Sequence, residues 1–408
     1  MFKFKTASFA CAAQARCCIW QGIDVATLRV RVYNVFFGDA ILLRIPEVDA
    51  DGQEIILNVL IDVGNAMAGG GGDDRIFAPV LADIQRELGG EPLDLYVMTH
   101  EHMDHVQGLL YGAQKLGIEI KARTVWMTAS SAPDYYDRFP DAKKKRALAF
   151  AAREAIATFL TTSAAPVSDS IAAMLAINNP RASDDCVGHI RGIGATSPVY
   201  LHRTADIGGG LPFRRTKVRI LAPEQDTSIY YGRLAPPSLG VIQDDTAPTL
   251  LPPGATTPPA GVSAGDFFDL VRFRSSGMGA NLRTIDKAAN NSSVVLELEW
   301  NGWLLLFPGD AEEKSWAIMA RHGLLRPVHF LKVSHHGSKN GSPEAEIDAV
   351  LPELPIDDRP RQAIVSTREG AYSGVPDSAT LDRLKTRATL HDTRHAEPGG
   401  WVDVTFDA

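Results

Sequence analysis

The chain has 408 residues, 45% hydrophobic and 22% charged, with a net charge of −8. This is a globular composition that gives no overall electrostatic case for nucleic-acid binding. No run approaches the ~20 apolar residues of a membrane-spanning helix, so no membrane association is expected.

Residues 1–26 read as a flexible N-terminal extension ahead of one domain, 27–408. The extension begins with lysines and small apolar residues, as a secretory leader does, but Gln14 and Arg16 leave its apolar core too short. Cys11, Cys17, Cys18 and Cys186 show no C-x-x-C spacing, so neither a disulfide framework nor a structural zinc site is indicated. A reducing, cytoplasmic setting is expected.

Leu28–Phe36 alternates apolar and polar residues and predicts a half-buried strand. Ala40–Ile45 and Glu54–Ile61 follow as strands around a turn at Asp49–Gly52. Ala68–Asp74 is Gly-rich but lacks G-K-[ST], so it is not a phosphate loop. Arg75–Leu88 predicts an amphipathic helix stopped by Gly89-Gly90. Strand Leu93–Met98 then runs into Thr99–His105, read THEHMDH.

In an extended segment His100, His102 and Asp104 share one face. His105 follows and opens a predicted helix, Val106–Leu116. Imidazole and carboxylate donors thus gather at a strand end, a pattern suited to one or two divalent metals.

Thr124–Met127 predicts a short strand, Asp141–Phe159 and Ser168–Ile177 helices, and Thr216–Leu221 a strand. Arg233–Gly265 carries seven prolines and reads as a loop. The second half repeats the earlier order. Strands are expected at Asn290–Glu299, Trp303–Phe307, Val328–Val333, Ala363–Ser366, near Thr389 and at Val402–Phe406. Helices are expected at Ala311–Arg321, Pro343–Val350 and Ser378–Thr386. Two sheets packed face to face with helices outside would bury these runs.

Two of these strands end in further candidate ligands: LLLFPGD delivers Asp310, and FLKVSHHGS delivers His335 and His336. Lys332, Ser334, Ser338 and Lys339 flank the latter, with solvated or structural roles favoured. Trp126, Trp300 and Trp303 read as core or rim residues.

Together with LIDVGN, these motifs resemble the metallo-β-lactamase-fold hydrolases in order and spacing. YNVFFGDAILLRI, NNSSVVLELE, FPGDAEE and LKVSHHGSKNGSPE more narrowly resemble the soluble hydrolase domain of ComEC-type DNA-uptake proteins. The resemblance runs from about Thr27 to Phe406 but omits an insertion at about 128–289. It implies an α/β fold, a four-layer αββα sandwich, with a dinuclear site. His100 and His102 would hold a first metal, Asp104, His105 and His335 a second, and Asp310 would bridge them. Asp62 would orient the histidine loop, and His336 would support the ligands from behind. Zinc is implied, two ions per chain, with manganese as the alternative. A third histidine expected for the first metal is replaced by Asn290-Asn291-Ser292, an asparagine feature shared with ComEC-like domains. Asn291 is a candidate weak ligand or substrate contact.

Whatever the family, two divalent ions facing Asp104 and Asp310 leave a net positive cavity that attracts anions, and they activate water. Asp104 can orient that water as a catalytic residue. The expected function is metal-dependent hydrolysis of phosphodiesters, with nucleic acid or nucleotide as partner. The alternatives are hydrolysis of a small ester, thioester or lactam, or a non-catalytic, metal-bound regulatory protein.

Overall fold

The computed structural model describes residues 27–65, 73–162, 169–207, 212–232, 278–355, 357–368 and 374–408. The N-terminal extension, most of the Gly-rich stretch and the proline-rich stretch lie outside these residues.

Strands β1 (Thr27–Tyr33), β2 (Ala40–Val48) and β3 (Glu54–Val63) form an antiparallel meander. Helix α1 (Asp74–Leu88) leads to β4 (Leu93–Met98), α2 (Met103–Tyr111) and β5 (Ala122–Thr128). Then come α3 (Tyr135–Arg138), α4 (Pro140–Thr162), α5 (Asp169–Ile177), α6 (Pro180–Gly192), β6 (Val199–Leu201) and β7 (Lys217–Ala222). The second half runs α7 (Met278–Asn290), β8 (Val295–Trp300), β9 (Trp303–Phe307), α8 (Glu313–Arg321) and β10 (Phe330–Lys332). It closes with α9 (Glu344–Val350), β11 (Gln362–Val365), α10 (Ser378–Lys385), β12 (Thr389–Asp392) and β13 (Trp401–Asp407).

One sheet has the order β13-β1-β2-β3-β4-β5-β6 and the other β12-β11-β10-β9-β8-β7. In each, three antiparallel strands are followed by three parallel ones, the repeat expected from the element order. β13 departs from it, pairing with β1 rather than with its sequence neighbour β12.

Apolar alternation explains the layers. Val30, Ile41, Val59 and Val97 of the first sheet meet Leu298, Leu305 and Phe330 of the second in one core, with Trp126, Trp300 and Trp303 among them. The opposite face of the first sheet packs on α1, α2 and α6, and that of the second on α8, α9 and α10. The protein is therefore a four-layer αββα sandwich.

The insertion is not merely an appendage, since it supplies the edge strands β6 and β7. Three of its helices, α3, α6 and α7, and the strand β6 are absent from the sequence reading. Among the described residues, no helix is long and apolar enough to cross a membrane.

Candidate metal centre

β4 is apolar on both faces because it lies between two parallel neighbours. Its end is fixed by Asp62. The β2–β3 register passes from Ile41↔Ile61 to Ala40↔Val63, which leaves Asp62 as the bulged residue, with φ of 52°. A bulge re-aims its side chain. Asp62 Oδ1 accepts from the Thr99 amide at 2.8 Å and Oδ2 from the Thr99 hydroxyl at 2.6 Å. The same Oδ2 lies 2.8 Å from His105 Nδ1.

Two close approaches bring the loops together. A Cβ on Gly64 would collide with the Asp104 backbone, so the end of β3 touches the first turn of α2. Gly309 has φ of 55°, and a Cβ there would lie 3.0 Å from Thr99 Cβ and 3.1 Å from Ser293 Cβ. Ser293 Oγ accepts from the Asp310 amide at 3.1 Å, and the Val294 amide donates to the Thr99 carbonyl at 2.9 Å.

Asp104, His105, Asp310 and His336 are all buried, and their ligand atoms lie within 4.8 Å of one another. His105 Nε2 is 3.2 Å from Asp310 Oδ2, and His336 Nε2 is 3.2 Å from the same oxygen and 3.3 Å from Asp104 Oδ2.

His335, expected as a ligand of the second metal beside Asp104 and His105, does not join this group, and His336 does. The backbone from His335 through His336 to Gly337 is left-handed throughout, with φ of 45°, 52° and 83°. That run turns the two rings apart. His336 faces the centre, with Nδ1 anchored 3.0 Å from the Ser366 carbonyl and the Phe37 ring tilted against it, centroids 4.2 Å apart. His335 faces Glu312 at 3.1 Å and Ser338 at 3.0 Å.

The titration of these groups follows from their crowding. Burial works against charge on His336, but Asp310 and Asp104 outweigh it and push the ring up to about 9. Burial likewise opposes ionisation of Asp310, and His336 and His105 overcome it to hold the carboxyl well below its ordinary range. Burial also opposes charge on His105, and Asp310, Asp104 and Asp62 outweigh it and raise that ring well above its ordinary range, so without a cation both rings are drawn toward their protonated forms.

Several atoms fit a cation better than this proton arrangement. Asp104 Oδ1, Asp310 Oδ1 and His100 Nε2 are buried without a hydrogen-bond partner. The Thr99 hydroxyl gives its proton to Asp62, so His100 Nδ1, 3.1 Å from it, must donate, leaving a bare lone pair on Nε2. Burial, with His105 and His102 adjoining, holds the His100 ring well below its ordinary range and therefore neutral.

Protein-family profiles give no match to the chain, and no curated protein matches it. Among solved structures the chain is similar to the metallo-β-lactamase-fold protein YhfI from Bacillus subtilis, at 10% identity, over 93% of this chain and 100% of that one, with a TM-score of 0.36. At those values the likeness assigns neither a family nor an activity.

His102 departs from the compact centre. Its Nε2 lies 2.9 Å from Asn178 Oδ1 and 3.9 Å from Asp286 Oδ1. Asn178 and Asp286 come from the insertion, so no motif flags them. Asn291, expected as a weak ligand or substrate contact, is engaged in the fold: its Oδ1 accepts from the Ser315 amide at 2.7 Å and its Nδ2 donates to the Lys287 carbonyl at 2.7 Å, joining α7 to the first turn of α8. Lys332 is buried and paired with Asp39 rather than solvated.

A cavity opens beside His102, walled by Glu101, Tyr136, Arg146, Phe150 and Asn178. The Arg146 guanidinium lies over Tyr136 at 4.7 Å and Phe150 at 4.3 Å. All three belong to helices the sequence resemblance does not cover.

Proposed function

We propose that this protein is a metal-dependent hydrolase of the metallo-β-lactamase type, acting on phosphodiester bonds. The observation that carries the reading is the buried convergence of Asp104, His105, Asp310 and His336, backed by Asp62. Two imidazoles and two carboxylates suit zinc, with manganese as the alternative. A bound divalent ion supplies Lewis acidity and lowers the pKa of a coordinated water toward about 7.

The protein's own groups do the rest. Asp62 keeps the His105 Nε2 lone pair directed inward, and the Ser366 carbonyl does the same for His336. Asp104 and Asp310 would hold a cation, and the Asp104 carboxylate would orient the attacking water. His100, with a free Nε2 lone pair, lies beside this centre, its ring 4.7 Å from that of His102. Arg146, beside His102, supports an anionic substrate, and Tyr136 and Phe150 offer apolar faces to a nucleotide-like group. Cysteine usage suits the cytoplasm.

The test is a substrate panel of bis(p-nitrophenyl) phosphate, single-stranded DNA and nitrocefin. The chelated protein is compared with protein reloaded with zinc or manganese. Phosphodiester turnover that is abolished by chelation, restored by metal and absent in Asp104→Ala supports the proposal. Turnover of nitrocefin alone, or none with two ions bound, overturns it.

A further inference from the structure

A second group of donors lies outside the centre described above. Asp286 of α7, Glu312 ahead of α8 and His335 after β10 bring their ligand atoms within 4.8 Å of one another. None of the three belongs to the four-residue centre.

Asn290 decides what the cluster is for. It is 1% exposed and sits one helical turn after Asp286. Its Nδ2 points at all three members: Glu312 Oε1 at 2.9 Å, His335 Nε2 at 3.3 Å and Asp286 Oδ2 at 3.4 Å. Its Oδ1 is buried with no partner, as is Oε2 of Glu312. An amide has two protons and cannot satisfy three acceptors, while its own acceptor is wasted. Rotating the carboxamide by half a turn places Oδ1 where Nδ2 now lies.

Oxygens bound at about 2.1 Å around one octahedral ion stand roughly 3 Å apart. The three Nδ2 distances are of that size, so the rotated amide joins Asp286, Glu312 and His335 as a fourth donor to a shared cation. The charge suits one. The carboxylates of Asp286 and Glu312 stand close together, with the His335 ring 3.1 Å from Glu312 Oε1 and the nearest lysine, Lys287, 3.9 Å from Glu312 Oε2.

We propose that Asp286, Asn290, Glu312 and His335 form a separate cation site, selective for a hard, octahedral divalent ion such as manganese(II). Three oxygens and one imidazole favour that class over zinc. Asp286 also lies 3.9 Å from His102, so the ion stands against the wall of the cavity beside that ring. The site is defined by binding and does not rest on the proposed hydrolysis.

The test uses the full chain, stripped with chelator and titrated with MnCl2 while free manganese is followed by electron paramagnetic resonance. Asp310→Asn removes a ligand of the first centre and is expected to retain one manganese per chain. In that background Glu312→Gln and Asp286→Asn are expected to lose it, with circular dichroism reporting the fold. Asn290→Asp is expected to tighten it roughly tenfold, since affinity follows the charge of the donor set. Nitrogen modulation of the bound-manganese signal is expected in Asp310→Asn and absent when His335→Gln is added. Folded Asp286→Asn or Glu312→Gln protein that binds the same number of ions as its parent overturns the proposal. So does Asn290→Asp protein with unchanged affinity. Loss of hydrolysis with this binding intact bears only on the hydrolase reading.

Discussion

His105 Nδ1 lies 2.8 Å from Asp62 Oδ2, and that contact fixes which nitrogen of the ring faces Asp310. Asp62→Asn replaces an acceptor of three hydrogens by a group that can accept with one oxygen only. Partners of this kind are worth about 10–100-fold in metal affinity. We expect zinc binding, measured by competition with a chromophoric chelator, to weaken by that amount while far-ultraviolet circular dichroism is retained. An unchanged affinity would reduce Asp62 to a support for the loop.

The adjacent histidines separate cleanly. His336→Ala is expected to lose the tightly held ion of the Asp104, His105 and Asp310 centre, because its ring stands 3.2 Å from Asp310. His335→Ala is expected to keep that ion, since its ring contacts Glu312 instead. Zinc competition titrations of the two purified variants, made without manganese because His335 belongs to the separate manganese site, decide between them, and the reverse outcome would restore the assignment implied by the resemblance.

Gly309 matters through both its backbone and its neighbours. With φ of 55° and side chains 3.0 and 3.1 Å from a built Cβ, Gly309→Ala strains the turn that presents Asp310. A left-handed non-glycine residue costs roughly 1–2 kcal/mol. Urea denaturation is expected to show a loss of at least that size, and metal affinity to fall with it. A variant as stable as the parent would mean the turn relaxes freely.

Glu47 gives the protein an acid-sensitive joint. Its fully buried carboxylate accepts from the amides of Arg214, Arg215 and Thr216 at 3.2, 2.9 and 2.6 Å, fastening the approach to β7 onto β2. Burial disfavours the charge, but these hydrogen bonds outweigh it and hold the carboxyl below its ordinary 4.5. The stabilisation is therefore complete above about pH 4.5 and is lost as pH falls through the lower, folded-state value. Glu47→Gln is expected to cost about 1–3 kcal/mol at pH 7, with the gap to the parent narrowing toward pH 3 in urea titrations. A gap independent of pH would refute this.

The legible parts of the chain were those where short-range pattern and final environment agree. β4 and β9 fall at Leu93–Met98 and Trp303–Phe307 as read, because an apolar run bounded by polar ligands has the same meaning locally and in the sandwich. α7 was hidden because its buried side, Leu282, Ile285 and Ala288, is thin and adjoins the proline-rich stretch. α6 carried a readable signal, Asn179-Pro180, which the structure uses as N-cap and first turn. The order of His335 and His336 depends on three consecutive left-handed residues, which side-chain pattern does not encode. Asp286 lacked a motif, and Glu312, although it lies within FPGDAEE two positions after Asp310, was not read as a ligand.

The pairing of β1 with β13, from Thr27↔Asp407 to Tyr33↔Trp401, sets a timetable for the newborn protein. At about 5–20 residues per second, translation needs roughly 20–75 s to go from Tyr33 to Trp401. Through that interval β1 can hydrogen-bond to β2 on one side, while the strand that covers its other edge among the described residues has yet to be made. A bare edge of this kind invites pairing with other chains. Among the described residues, the first sheet, which carries THEHMDH, is thus completed only by the last strand to leave the ribosome.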